Sequence, residues 1–113
     1  MDARLAELCR AALAATQKQA RLIDRRPPDL PADVVAGALR TGLPGVERAV
    51  AALGEERERR RGSLYPQLAP IAEAQAIVRE LPPALAAAAL DDARACYDRL
   101  ERKLDAVLLI AER

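Results

Sequence analysis

The feature of this sequence that most constrains its fold is its last segment, residues 82–113. After the Pro82-Pro83 pair this segment contains neither Gly nor Pro, so it predicts one uninterrupted helix to Arg113. At about 1.5 Å of rise per residue, such a helix is about 48 Å long. A compact chain of this size has a radius of gyration of only about 13 Å. The sequence therefore predicts an elongated helical bundle or an assembly, not a sphere.

The apolar residues of the chain are almost all aliphatic. Hydrophobic residues make up 51% of the 113 residues, but Phe and Trp are absent, and Tyr65 and Tyr97 are the only aromatics. Small side chains let helices approach closely, yet each buries little area, so the core of a monomer should be thin. We expect residues 1–113 to form a single all-α domain, an elongated antiparallel bundle of four to five helices with long first and last helices. Such a domain would gain stability from a partner surface.

Charge is abundant but balanced, with 18 basic and 17 acidic residues. Mixed charges of this kind are typical of solvent-exposed helix faces, and the balance gives no reason to expect a nucleic acid or a membrane as partner. The N-terminal residues do not match a signal peptide, and no apolar run approaches the ~18 residues that cross a bilayer. We expect a cytoplasmic protein.

The first predicted helix is capped by Asp2, runs to about Arg25 and ends before Pro27. Arg25 and Arg26 suit the negative end of the helix dipole, which is a sufficient structural reason for them. The inner stripe of this helix is apolar but turns polar in the middle. Its members are Leu5, Leu8, Cys9, Ala12, Thr16, Gln19, Ala20 and Ile23.

Two shorter helices are predicted next. Asp29 would cap one that covers about Leu30 to Thr41, Gly42 would close it, and Pro44 would open the other. The expected buried residues are Val34, Val35, Ala38 and Leu39 in the first of these, and Val46, Val50 and Leu53 in the second.

The second half of the chain is divided by Gly62-Ser63, where Ser63 is a candidate cap, and by Pro70, which predicts a kink or a restart. A helix is predicted over residues 70–81. Its apolar set is Ile71, Ala74, Ile77, Val78 and Leu81.

The predicted last helix is amphipathic along most of its length. Near its end the run Val107 to Ile110 covers four successive positions, and an apolar turn on all sides must be buried by something. The broad apolar face consists of Leu85, Ala89, Ala93, Cys96, Tyr97, Leu100, Leu104, Val107, Leu108 and Ala111.

Few residues of this chain are suited to catalysis. It contains no His, which removes the commonest general base and the commonest metal ligand. Its five Gly residues are scattered and form no phosphate-binding loop. Cys9 and Cys96 have no zinc-site spacing; we expect small buried thiols, although a disulfide between the first and last helices stays open. We therefore predict no catalytic residue, no metal and no cofactor.

The segment from Glu55 to Arg61 is the most highly charged in the chain. Glu55 with Arg59 and Glu56 with Arg60 are favourable i,i+4 pairs, so a solvated helix end is the simplest interpretation. A patch for an acidic protein partner is the second interpretation, and a nucleic-acid patch the third. The basic residues of the segment are Arg57, Arg59, Arg60 and Arg61.

The two tyrosines have different expected roles. Tyr97 should lie in the core with its hydroxyl at the rim. Tyr65 should pack the central turn, or else serve as an exposed anchor for a partner.

The last helix has more apolar surface than the short preceding helices can cover. This surplus predicts a binding protein, adaptor-like or chaperone-like, that packs on a partner helix or on a second copy of itself. The predicted anchors are Leu100, Leu104, Val107, Leu108 and Ile110.

In size, helicity and its charged linker the chain is similar to bacterial flagellar and type III export chaperones, which hold an exported helical partner. The similarity is one of general character, without an aligned residue motif. Two alternatives stay open: a small helical enzyme or ligand-binding bundle that uses Arg and Glu, and a subunit of a larger secretion or phage particle.

Overall fold

The fold is an elongated bundle of helices. The computed structural model describes residues 1–62 and 65–113, and within these ranges it contains no strand. The molecule measures 50 × 21 × 18 Å. The predicted all-α bundle with long first and last helices is confirmed, and Ser63 lies outside the described residues. The helices are α1 (Ala3–Asp24), α2 (Ala32–Arg59), a 3-10 helix (Tyr65–Leu68), α3 (Ala69–Val78), α4 (Leu81–Ala86) and α5 (Leu90–Ala111).

Helix α1 begins and ends as its sequence predicts. Asp2 has an extended backbone, and its side chain accepts a hydrogen bond of 3.2 Å from the Leu5 N–H. At the other end the Arg25 N–H closes the last turn on the Arg21 carbonyl, before Pro27. Six of the eight residues of the predicted inner stripe are buried, including the polar Thr16 and Gln19, whereas Leu8 and Ile23 are half-buried.

The long helices pack side by side in antiparallel directions. The Asp2 N–H donates to the Ala111 carbonyl at 2.7 Å, which joins the start of α1 to the end of α5. Arg94, near the start of α5, binds Asp24 at the end of α1. Arg60, just after α2, binds Asp2. Helix α1 therefore runs antiparallel to both neighbours, and α3 closes the bundle against α2 and α5.

Helix α2 corrects the prediction of two short helices. It is a single helix of 28 residues that begins at Ala32, after Pro31, so Asp29 is not its cap. It continues through Gly42 and Pro44 without a break. The longest helix of the described chain is thus α2 and not the last one.

The spacing of the buried apolar residues along α2 explains why this helix is not broken at Pro44. A proline in a helix interior costs about 3 kcal/mol, but burial of one large aliphatic side chain contributes about 1.5–3 kcal/mol. Six such side chains recur at spacings of three and four across Pro44, and all are buried. They are Val35, Leu39, Leu43, Val46, Val50 and Leu53.

Gly42 lies in α2 for a packing reason and not as a helix stop. A Cβ atom at this position would collide with the carboxamide of Gln19 on α1. Gln19 itself is only 5% exposed, so it has little room to move. Gly42 therefore lets α1 and α2 approach closely at this point.

The second half of the bundle is partly as predicted. Pro70 restarts the chain as expected, since α3 begins one residue earlier at Ala69 and tolerates proline in its first turn. Helix α3 ends at Val78, and Leu81 belongs to the next helix. All five residues of the predicted apolar set, Ile71, Ala74, Ile77, Val78 and Leu81, are buried.

The predicted helix over residues 82–113 is wrong, because the chain breaks between α4 and α5. The Ala89 N–H donates to the Ala84 carbonyl and the Ala88 N–H to the Leu85 carbonyl, the hydrogen-bond pattern of a Schellman motif. Ala88 takes the left-handed conformation, with φ of 52°. Arg40 of α2 also donates to the Leu85 carbonyl at 2.8 Å, which ties α4 to α2.

Ala88→Gly should raise the free energy of unfolding by about 0.5–1 kcal/mol. The left-handed conformation costs a residue with a Cβ about 1–2 kcal/mol, whereas the extra freedom of glycine in the unfolded chain costs about 0.4–1 kcal/mol. Chemical denaturation measures the difference. The matched control is Ala87→Gly, because Ala87 has φ of −83° and should lose stability. Destabilisation by both substitutions would contradict the strain at Ala88.

The core is built from aliphatic side chains around one aromatic residue. Tyr97 has no exposed surface, and its hydroxyl has no hydrogen-bond partner among the described residues. The expectation of a hydroxyl at the rim is therefore wrong. Burial raises the pKa of Tyr97 to about 12.

Candidate interaction surface

The structure places most of the predicted partner anchors inside the bundle. Leu100, Leu104 and Val107 have no exposed surface. Helix α1 covers α5 at this level, since the Cys9 thiol donates to the Leu104 carbonyl at 2.9 Å. These three residues are covered by the chain itself, so they offer no surface to a partner of the folded protein.

The end of α5 keeps a smaller apolar surface. Leu108 and Ile110 are half-buried against the core, whereas Leu109 is 63% exposed. The all-round apolar turn is thus buried on three sides by the bundle and open on one. A partner at this end stays a prediction, and its anchors reduce to these three residues.

The second predicted surface, the arginine cluster at the end of α2, is largely neutralised. Arg59 and Arg60 bind the Glu56 carboxylate at 2.7 and 2.9 Å, and Arg60 also binds Asp2. The predicted i,i+4 pairs are confirmed: Glu56 with Arg60, and Glu55 with Arg59 at 3.7 Å. This cluster joins the end of α2 to the start of α1.

The other two arginines of the cluster surround Tyr65. The Arg57 guanidinium lies 4.0 Å from the centre of the Tyr65 ring, and that of Arg61 lies 5.3 Å away. Arg61 also binds Glu58 at 2.7 Å. Tyr65 is half-buried against these two arginines, and its two expected roles, in the central turn or as an anchor for a partner, stay predictions. Arg57 and Arg61, like Arg59 and Arg60, are engaged within the chain.

The carboxylates of this cluster are held in their charged form. Hydrogen bonds from Arg60 lower the pKa of Glu56, which is only 7% exposed, and Arg59 adds to the effect. A hydrogen bond from Arg60 likewise lowers the pKa of Asp2. The pKa of Arg60 is raised in turn, chiefly by Asp2. The cluster is a structural ion-pair network.

An open groove of about 390 Å³ lies between the second half of α1 and the start of α2. On the α1 side it is lined by Lys18, Arg21, Leu22 and Arg25. These positions recur at spacings of three and four, so they form one line about 10 Å long on the helix surface. Leu22 is 41% exposed within this line.

The α2 side of the groove is apolar. It is lined by Leu30, Val34, Val35 and Ala38. Val35 is buried, but Val34 is 53% exposed and Ala38 is also exposed, so the prediction that both are buried is wrong. The reason is that the buried stripe of α2 passes through Val35 and Leu39, each of which is one residue after Val34 or Ala38.

Positive charge lies along the α1 side of this apolar floor. Lys18, Arg21, Arg25 and Arg26 line the groove, and among the described residues no carboxylate does. Asp24 lies next to them in sequence, but Arg94 holds it with hydrogen bonds of 2.8 and 3.1 Å, which lower its pKa. The groove therefore combines an apolar floor with a basic rim.

The groove was missed at the level of sequence, although two signals for it are present. Leu22 precedes the apolar stripe residue Ile23, and Val34 precedes Val35. Two adjacent apolar residues on a helix cannot both lie on one narrow buried stripe. The basic residues beside them gave no further signal because Arg25 and Arg26 already had an explanation as helix-end residues.

The cysteines do not form a reactive site. Both are free and buried. Burial raises the pKa of Cys9 to about 11, and burial also raises that of Cys96. Both are therefore thiols at neutral pH, in line with their expected role as small core residues.

Three comparisons were made with known proteins. Neither protein family models nor curated proteins nor solved structures give a match to the chain. Among the helices of the described residues, none has the length and apolar character to span a membrane. The described Cys, Asp and Glu residues form no group of three or more that could hold a metal ion.

Proposed function

We propose that this protein is an interaction module, adaptor-like or chaperone-like, which binds a helical segment of a partner protein in the groove between α1 and α2. The observation that carries the proposal is the position of Leu22 and Val34. Both are large apolar side chains with substantial exposure, and both line one groove. An exposed apolar groove between polar edges is a typical feature of protein interaction sites.

The shape of the groove favours a helix as the bound element. It lies between two helices and extends for about 10 Å along α1, which equals about two helical turns. A bound amphipathic helix would place apolar residues at i, i+3 or i+4, and i+7 on the floor formed by Leu22, Leu30 and Val34. The proposal is one of binding and not of catalysis.

A labelled peptide with a helical apolar stripe and an uncharged Gln face tests this function. Fluorescence anisotropy should show binding, and the double variant Leu22→Ser/Val34→Ser should weaken it at least about tenfold, since two apolar contacts are lost. Leu109→Ser is the control, because Leu109 is 63% exposed, against 41% for Leu22 and 53% for Val34, and lies in α5 at the other end of the bundle. Absence of binding, or equal loss in the control, would contradict the proposal.

Self-association through the end of α5 is a second candidate. It is supported by the exposed Leu109 beside the half-buried Leu108 and Ile110. Sedimentation velocity of the chain alone tests it. If this candidate is correct, the chain forms a dimer that dissociates in the Leu109→Ser variant and persists in the Val34→Ser variant. A monomer at all concentrations would contradict it.

A further inference from the structure

The groove brings together four basic residues that have no acidic partner among the described residues. Lys18, Arg21, Arg25 and Arg26 form no ion pair with any described residue. Three of them lie on the line along α1, where successive members are about 5–6 Å apart, less than one Debye length of about 8–10 Å. Their fields therefore add over the apolar floor.

The arginine cluster at the end of α2 provides the contrast. It contains as many cations, but Arg59, Arg60 and Arg61 are bound by carboxylates of the same chain, and Arg57 stacks on Tyr65. An acidic partner would have to displace these contacts. At the groove an acidic partner would displace only water, so binding there is more favourable in free energy.

We infer that the partner helix is acidic, with Asp or Glu beside its apolar anchors so that the carboxylates reach Lys18, Arg21, Arg25 and Arg26. The inference rests on the proposed function and names the partner's chemistry. The apolar anchors supply affinity, whereas the complementary charges supply specificity and a faster association rate. Asp24 does not oppose this charge, because Arg94 neutralises it.

Three labelled peptides of about 15 residues, long enough to form a helix when stabilised, test the inference. They share one apolar stripe and differ only in Glu, Gln or Lys at the flanking positions. An exposed ion pair contributes roughly twofold to affinity. With about three to four such pairs, the Glu peptide should bind about tenfold more tightly than the Gln peptide. The Lys peptide should bind most weakly, and raising the salt to about 0.5 M should reduce the preference.

Charge variants of the protein locate the effect. Arg21→Gln/Arg25→Gln should lower the ratio of Glu-peptide affinity to Gln-peptide affinity from about tenfold to about threefold, since two of the four cations are lost. The matched control is Arg48→Gln/Arg113→Gln, two exposed arginines outside the groove, and it should retain the preference.

The outcomes separate the two proposals. Equal binding of all three peptides would overturn the acidic partner and leave the groove function standing, whereas no binding of any peptide would overturn both. Binding of decanoate without binding of the Glu peptide would assign the groove to a small anionic amphiphile and overturn the inference. If the chain forms a dimer and Val34→Ser dissociates it, the groove binds a second copy of the chain, and the inference of an acidic partner is overturned.

Discussion

Leu104→Ala is expected to lower the free energy of unfolding by about 3 kcal/mol, the centre of the range for truncating a buried leucine. Leu104 has no exposed surface, and α1 covers it through the contact between the Cys9 thiol and the Leu104 carbonyl. Because the core consists almost entirely of aliphatic side chains held in helices, the neighbours fill little of the space that the side chain leaves. Urea denaturation, monitored by circular dichroism, measures the loss.

The control is Leu109→Ala in the same helix. Leu109 is 63% exposed, so its truncation should change stability by less than about 0.5 kcal/mol. The pair distinguishes a core residue from a surface residue of the same type. If Leu104→Ala were neutral in the monomer, Leu104 would instead be available to a partner, as the sequence alone predicts.

Glu56→Ala is expected to lower the free energy of unfolding by about 2 kcal/mol. Removal of one member of a buried ion pair costs about 3–5 kcal/mol, but Arg59 is largely exposed and water screens its share. The substitution leaves Arg60 with Asp2 alone and loosens the contact between the end of α2 and the start of α1. Thermal and urea denaturation measure the effect.

Acid should weaken the same network. The pKa values of Glu56 and Asp2 are lowered in the folded protein, so their contribution is complete above the unfolded pKa values of about 4. It is lost as the pH falls through the lower folded values. The free energy of unfolding should therefore decrease below about pH 4, and less steeply in Glu56→Gln than in the parent protein.

Glu58→Ala is the control for both experiments on the network. Glu58 is exposed and binds Arg61, which is also exposed, so its loss should leave the free energy of unfolding nearly unchanged. Equal destabilisation by Glu56→Ala and Glu58→Ala would mean that Glu56 acts only as one more surface charge.

The helix ends set by local chemistry could be predicted from the sequence. Asp2 caps α1, Pro27 follows its end, and Pro70 restarts the chain before α3. The pair of Glu56 with Arg60 was also predictable, since both members lie in one helix. Each of these features depends on residues within a few positions of one another, so no knowledge of the tertiary structure is needed.

The two wrong boundaries depend on tertiary structure. At Pro44 the packing of α2 against its neighbours outweighs the cost of proline, and only the continuous register from Val35 to Leu53 signals this. At Ala88 the chain turns without Gly or Pro, because the Schellman motif and the contact from Arg40 hold an alanine in a left-handed conformation. The local sequence there is almost entirely alanine and carries no signal.

The candidate site was the least predictable part. The apolar face of the last helix was correctly recognised as needing cover, but α1 and α3 of the same chain supply most of that cover. The sequence does not show which apolar face is left without a partner once the helices have packed. That face lies at Leu22 and Val34, where each helix carries one apolar residue beside its buried stripe.

An NMR titration of the chain with the Glu peptide tests the central claim most directly. If the groove between α1 and α2 is the binding surface, the largest changes in backbone amide shifts should fall within residues 18–26 and 30–38. Residues 105–111 at the end of α5 and residues 57–61 should change little. Largest changes in either of these two segments, with the groove unaffected, would contradict the account.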